Sequence, residues 1–125
     1  MQIEEIRRAA VTALEEIKAR DIVVLDVRKL TSLFDYLIVA SGDSARQNKA
    51  LARNVQDRVK AAGGTIVGIE GEQTGEWVLV DLGAVVVHAM QPAIRDYYNL
   101  EQLWGGEMQR RVSVPRRPEW ESRAG

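Results

Sequence analysis

The sequence predicts an α/β fold: a mixed sheet flanked by helices, with elements in the order α-β-β-α-β-β-β-α. Three observations carry this. Two segments repeat apolar residues at steps of three and four, as amphipathic helices do. Five short runs rich in β-branched and apolar residues read as strands. Helices and strands do not alternate strictly, so the sheet mixes parallel and antiparallel pairs. With 125 residues, 46% of them hydrophobic, the chain suits one domain with one sizeable core.

The first helix follows from Ile3, Ile6, Ala10, Ala13, Leu14 and Ile17, which share a face. Ile22 to Val27 and Tyr36 to Ala40 are the first two strands, the second ending at Ser41-Gly42-Asp43-Ser44. Ser44 is suited to cap a second helix, since its hydroxyl can accept from a free first-turn N–H. That helix is expected to run to about Ala62 and stop at Gly63-Gly64. Thr65 to Ile69 reads as a third strand, Gly71 to Gly75 as a loop, and Glu76 to Leu82 and Ala84 to Met90 as two more strands turning at Gly83. Pro92 opens a last helix, where its missing N–H costs nothing, and that helix carries Ile94 to Trp104 up to Gly105-Gly106.

The chain changes character after Gly106. The first 106 residues hold 12 basic and 15 acidic side chains, whereas the last 19 hold five Arg and three Glu. We therefore expect a domain at 1–106 and a mobile basic tail at 107–125. Over the whole chain 17 Lys plus Arg face 18 Asp plus Glu. That balance argues against DNA or other nucleic acid held by bulk charge. Cysteine is absent, which removes disulfides and thiolate metal sites. No apolar run is long enough to span a membrane and the N-terminus is polar, so a cytoplasmic or organelle-matrix location is expected.

Few residues offer catalytic chemistry. His88 is the lone histidine, too few for a zinc or iron site of the usual kind. A triad of Ser41 or Ser44 with His88 and Asp81 is conceivable, but no G-x-S-x-G elbow is present. Gly63-Gly64 and Gly68-x-x-Gly71 match neither phosphate-loop pattern. Asp43 would repel an anion at Ser41 to Ser44, so capping is the better reading there. Two-metal chemistry needs closely spaced carboxylates, and Asp43, Glu70 and Asp81 form no acid-x-acid pair on a strand. No cofactor, no metal and no catalytic residue are expected. Arg46, Lys49, Arg53 and Lys60 form a basic stripe on the second helix; with no aromatics interleaved, a solvated face is preferred over an RNA contact.

The informative strand is Glu76 to Leu82. Alternation puts Trp77, Leu79 and Asp81 on one face and Val78, Val80 and Leu82 on the other. In the next strand Val85, Val87 and Ala89 oppose Val86, His88 and Met90. Both faces of this hairpin are largely apolar, so either helices cover both or one stays open for a partner. The residues themselves leave the two readings even.

Three groups of motifs stand out: Asp35-Tyr36-Leu37-Ile38-Val39-Ala40-Ser41-Gly42; then Glu70-Gly71, Trp77, Asp81-Leu82-Gly83 and Val87-His88; and finally Arg95, Tyr98, Leu100, Glu101, Leu103 and Trp104. Together they resemble the ribosomal silencing factor, or Iojap-like, family. The resemblance runs from the first helix to Trp104 and says nothing of the tail. It implies a nucleotidyltransferase-like fold without transferase activity. It also implies binding to the large ribosomal subunit through its ribosomal protein fourteen, at the joining face, which blocks subunit association and represses translation when nutrients are short. On that footing Trp77, Leu79, Asp81, His88, Arg95 and Tyr98 are the expected partner-binding residues. An apolar docking face also leaves a homodimer open when the partner is absent. The competing readings are a divergent nucleotidyltransferase using Asp43, Glu70 or Asp81 with magnesium, and a small RNA-binding module acting in ribosome assembly.

Overall fold

The computed structural model describes residues 2–104 and the backbone of 109–111. Two helices, α1 (Ile3–Glu16) and α2 (Ala45–Ala61), lie on one side of a sheet built from β1 (Arg20–Asp26), β2 (Tyr36–Ser41), β3 (Gly68–Glu70), β4 (Trp77–Asp81), β5 (Val85–Met90) and β6 (Gln109–Arg111). Two short helices, α3 (Pro92–Tyr98) and α4 (Leu100–Trp104), follow β5. The strands are ordered β3-β4-β5-β2-β1-β6. Among the described residues, only β2 and β5 pair in parallel and every other ladder is antiparallel, so the sheet is mixed as expected. β2 and β5 sit at its centre with every residue buried, which is why they read as nearly unbroken apolar runs.

The sheet separates two apolar clusters. On the α1/α2 side, Ala10, Ala13 and Leu14 and then Leu51, Val55 and Val59 pack on Ile22, Val24, Ile38, Val78, Val80 and Val87. On the other side Val23, Leu25, Leu37, Val39, Val86 and Met90 are covered by Phe34, Trp77, Leu79, Ile94, Leu100 and Trp104, all of them partly buried. The period-two alternation read from β4 thus holds, and it divides the two faces of the sheet.

Three local features differ from the sequence reading. The β3 ladder opens at Gly68 opposite Asp81, not at Thr65, because β4 ends at Asp81 and offers the earlier residues no strand to pair with. The last helix is broken at Asn99, which takes a left-handed conformation with φ 47°. Asn is one of the few residues that tolerates this, and it serves both ends: its N–H caps the Arg95 carbonyl, and its side chain reaches Gln102. The sixth strand was not foreseen; the backbone of Gln109–Arg111 pairs with Val23 to Leu25 of β1. Otherwise the basic tail at 107–125 and the glycine stop at 105–106 lie outside the described residues.

Candidate functional site: an open aromatic face

The β2–α2 turn is occupied structurally. Ser44 Oγ accepts from Gln47 N–H at 3.0 Å, and the Asp43 carboxylate pairs with the Arg20 guanidinium. Asp81 accepts from the backbone N–H of Gly83 at 2.8 Å, bracing the β4–β5 turn. Topology keeps these acids apart. Asp81 pairs with Val86, beside Leu37 at the start of β2, whereas Asp43 lies beyond Ser41 at the far end of β2. Six residues of extended chain separate those ends, roughly 20 Å. Glu70 sits elsewhere again, opposite Leu79. Among the described residues, no three His, Asp or Glu side chains are grouped to hold a metal ion. The triad is not assembled either: Ser41 Oγ accepts from Arg95, and His88 Nδ1 accepts from Trp77.

The expected partner-binding residues divide into two kinds. Trp77, Leu79 and Asp81 are half-buried on the second face of the sheet, as the alternation required. His88 and Arg95 are each only 7% exposed, so both act from beneath that surface. Arg95 Nη1 donates to Ser41 Oγ at 2.8 Å and its Nε donates to Glu101 at 2.6 Å. One guanidinium thereby ties α3 to the end of β2 and to α4. Tyr98 is 52% exposed, its ring 4.9 Å from that of Trp77 and edge-on to Tyr97 at 5.0 Å.

A second aromatic pair joins the same face: Phe34 and Trp104, with ring centroids 5.5 Å apart. Their chain neighbours Leu33 and Leu103 are 80% and 73% exposed, and Tyr97 is 81% exposed. This face is therefore covered by single side chains and two short helices, and large apolar groups remain in solvent around it. Isolated exposed apolar residues are ordinary, but several beside two aromatic pairs make this face the candidate docking surface. Sequence reasoning passed over Leu33, Phe34 and Tyr97. The signal was there in Leu30, Leu33 and Phe34, apolar residues set in a polar loop with no periodic element to bury them. On the opposite side of the molecule, Arg46, Lys49 and Arg53 line a shallow groove with Ile17, Ala50, Asn54 and Asp57.

Among the described residues, no helix is long and apolar enough to cross a membrane. Comparison with known proteins gives a consistent answer. The family described as "Ribosomal silencing factor during starvation" matches residues 1–124. The chain is similar to a ribosomal silencing factor, RsfS, of Chromobacterium violaceum, 62% identical over 107 residues that cover 86% of this chain and 88% of that protein. It also resembles a mouse protein named for mitochondrial assembly of the ribosomal large subunit, 35% identical over 97 residues, 75% of this chain and 42% of that one. A crystal structure of a Chromobacterium violaceum protein superposes with a TM-score of 0.83 at 56% identity, covering 95% of this chain and 99% of that one.

Proposed function

This chain belongs to the ribosomal silencing factor family, and we propose that it docks through its open aromatic face on the large ribosomal subunit and excludes the small subunit. The carrying observation is that face itself: Trp77, Leu79 and Tyr98 beside Phe34 and Trp104, on a sheet whose other side is closed by two long helices. Its partner there is ribosomal protein fourteen, at the surface where the subunits join. The name of the mouse relative, with its reference to large-subunit assembly, supports the choice of subunit. A globule of this length is roughly 30 Å across, enough to deny the joining face to a second body. Translation is repressed by occupancy, and the chain acts in the cytoplasm without catalysis or cofactor. The separation of Asp43 from Asp81 and the structural duties of both support that reading over a nucleotidyltransferase. Residues 1–106 carry the docking, and the tail adds only salt-sensitive affinity. Two free copies would pair through the same face.

The test is co-sedimentation with purified large and small subunits, without nucleotide. The protein is expected to travel with the large subunit alone. Trp77→Ala should weaken this by about 2 kcal/mol, roughly thirtyfold, with the circular dichroism spectrum intact. Subunit joining followed by light scattering should be inhibited stoichiometrically and reversibly. Substoichiometric inhibition, or binding that survives Trp77→Ala, would sink the proposal.

A further inference from the structure

A tryptophan at the centre of a docking face carries a liability. If a partner covers its indole N–H without accepting from it, the lost hydrogen bond to water weakens the complex. Here the protein satisfies that donor internally. Trp77 Nε1 donates to His88 Nδ1 at 2.8 Å, with the two rings 5.8 Å apart and inclined by 48°. The sheet register sets up the contact. Trp77 lies opposite Met90 and Leu79 opposite His88, so Trp77 reaches one diagonal step along the same face. Tyr98 of α3 backs the indole from the other direction.

The chemistry of the pair is one-directional. An indole nitrogen can only donate, so Nδ1 of His88 is the bare, accepting nitrogen and the ring proton sits on Nε2. A doubly protonated imidazole could not accept at all. Burial disfavours the charged ring and lowers the His88 pKa to about 4, so the neutral form persists across the physiological range.

We infer that His88 is a positioning residue of the docking face: it occupies the Trp77 N–H and holds the indole against Tyr98, so that Trp77 offers a partner only apolar ring surface. The group that meets Trp77 is accordingly an apolar side chain and not a hydrogen-bond acceptor. This rests on the proposed docking through Trp77. It goes further in giving a buried residue a share of the affinity, because an anchor already fixed loses less freedom on binding.

The experiment uses the full chain. In nitrogen–proton correlation spectra the Trp77 indole signal is assigned by its loss in Trp77→Phe. Slow solvent exchange of that proton, and a wild-type His88 protonated at Nε2, are expected; a His88 protonated at Nδ1 would overturn the inference whatever the variants do. His88→Asn keeps an acceptor near the Nδ1 position, while His88→Phe keeps a ring without one. Large-subunit binding should fall about tenfold in His88→Phe and stay within about threefold of wild type in His88→Asn, with the indole proton protected only in the latter. Equal losses in both variants, or full binding in His88→Phe, would overturn the positioning role. Should Trp77→Ala bind as wild type, it is the docking proposal that has failed, and the spectra still report whether His88 holds the indole.

Discussion

Removing the Arg95 guanidinium tests how the open face is built. Arg95 and Glu101 form a close ion pair with both side chains largely out of water, and the same guanidinium bonds Ser41 at the end of β2. Arg95→Met preserves much of the aliphatic packing but leaves the Glu101 carboxylate without its cation and Ser41 without a donor. Breaking a buried pair from one side costs about 3–5 kcal/mol, because the orphaned charge keeps its desolvation penalty. Glu101 is on a short helix and retains some exposure, so the lower end, about 3 kcal/mol, applies. Against a total of about 5–15 kcal/mol that is a large fraction. Urea unfolding should show a midpoint lower by about 1.5 M for a slope near 2 kcal/mol/M. Arg95→Met combined with Glu101→Leu removes both charges and should recover most of the loss, giving a coupling of at least about 2 kcal/mol in the double-mutant cycle. The single variant should also bind the large subunit less well, since α3 and α4 carry Tyr98 and Trp104. A single-variant loss under about 1 kcal/mol, or strictly additive losses in the cycle, would refute the view that this pair clamps the helices to the sheet.

Three further outcomes are expected. His88 has its pKa lowered from 6.5 to about 4, so between those values the unfolded chain binds the extra proton; stability is full above 6.5 and falls as pH drops, by up to about 3 kcal/mol, and urea midpoints for His88→Asn should lack this component. Gly71 has φ +87° and an added Cβ would lie 1.9 Å from the Trp77 carbonyl oxygen, so Gly71→Ala should lower stability by at least about 2 kcal/mol in the same assay. Ser44→Ala removes the α2 cap and should cost about 1 kcal/mol, with Ser44→Asp nearly neutral in thermal melts.

Much of this architecture was legible in local pattern. Apolar spacing located α1 and α2, and Ser44 marked the start of α2 because a cap is satisfied within one turn of chain. Alternation along β4 assigned Trp77 and Leu79 to one face and Val78 and Val80 to the other, since side-chain direction in a strand depends only on parity. Asn99 was harder to read: Asn tolerates a left-handed turn but does not demand one, and the break depends on Glu101 folding back to Arg95. The site was half legible. Trp77 and Tyr98 stand at the surface, but His88 and Arg95 work beneath it, and nothing local distinguishes a polar residue that touches a partner from one that holds another residue in place.

What the sequence determined by itself, then, was the elements from α1 to the start of α3, their order and the two-sidedness of each strand, all consequences of spacing within a few residues; the break at Asn99 and the pairing of β6 were not among them. Tertiary structure alone decided which strands became neighbours. Pairing β2 in parallel with β5 sends Asp43 and Asp81 to opposite ends of the sheet, while antiparallel β4 and β5 bring Trp77 to His88. It decided also that α1 and α2 both pack on one side, leaving the other to Phe34, Trp104 and two short helices. These are contacts between residues far apart in the chain, selected by how much apolar surface the whole fold can bury at once.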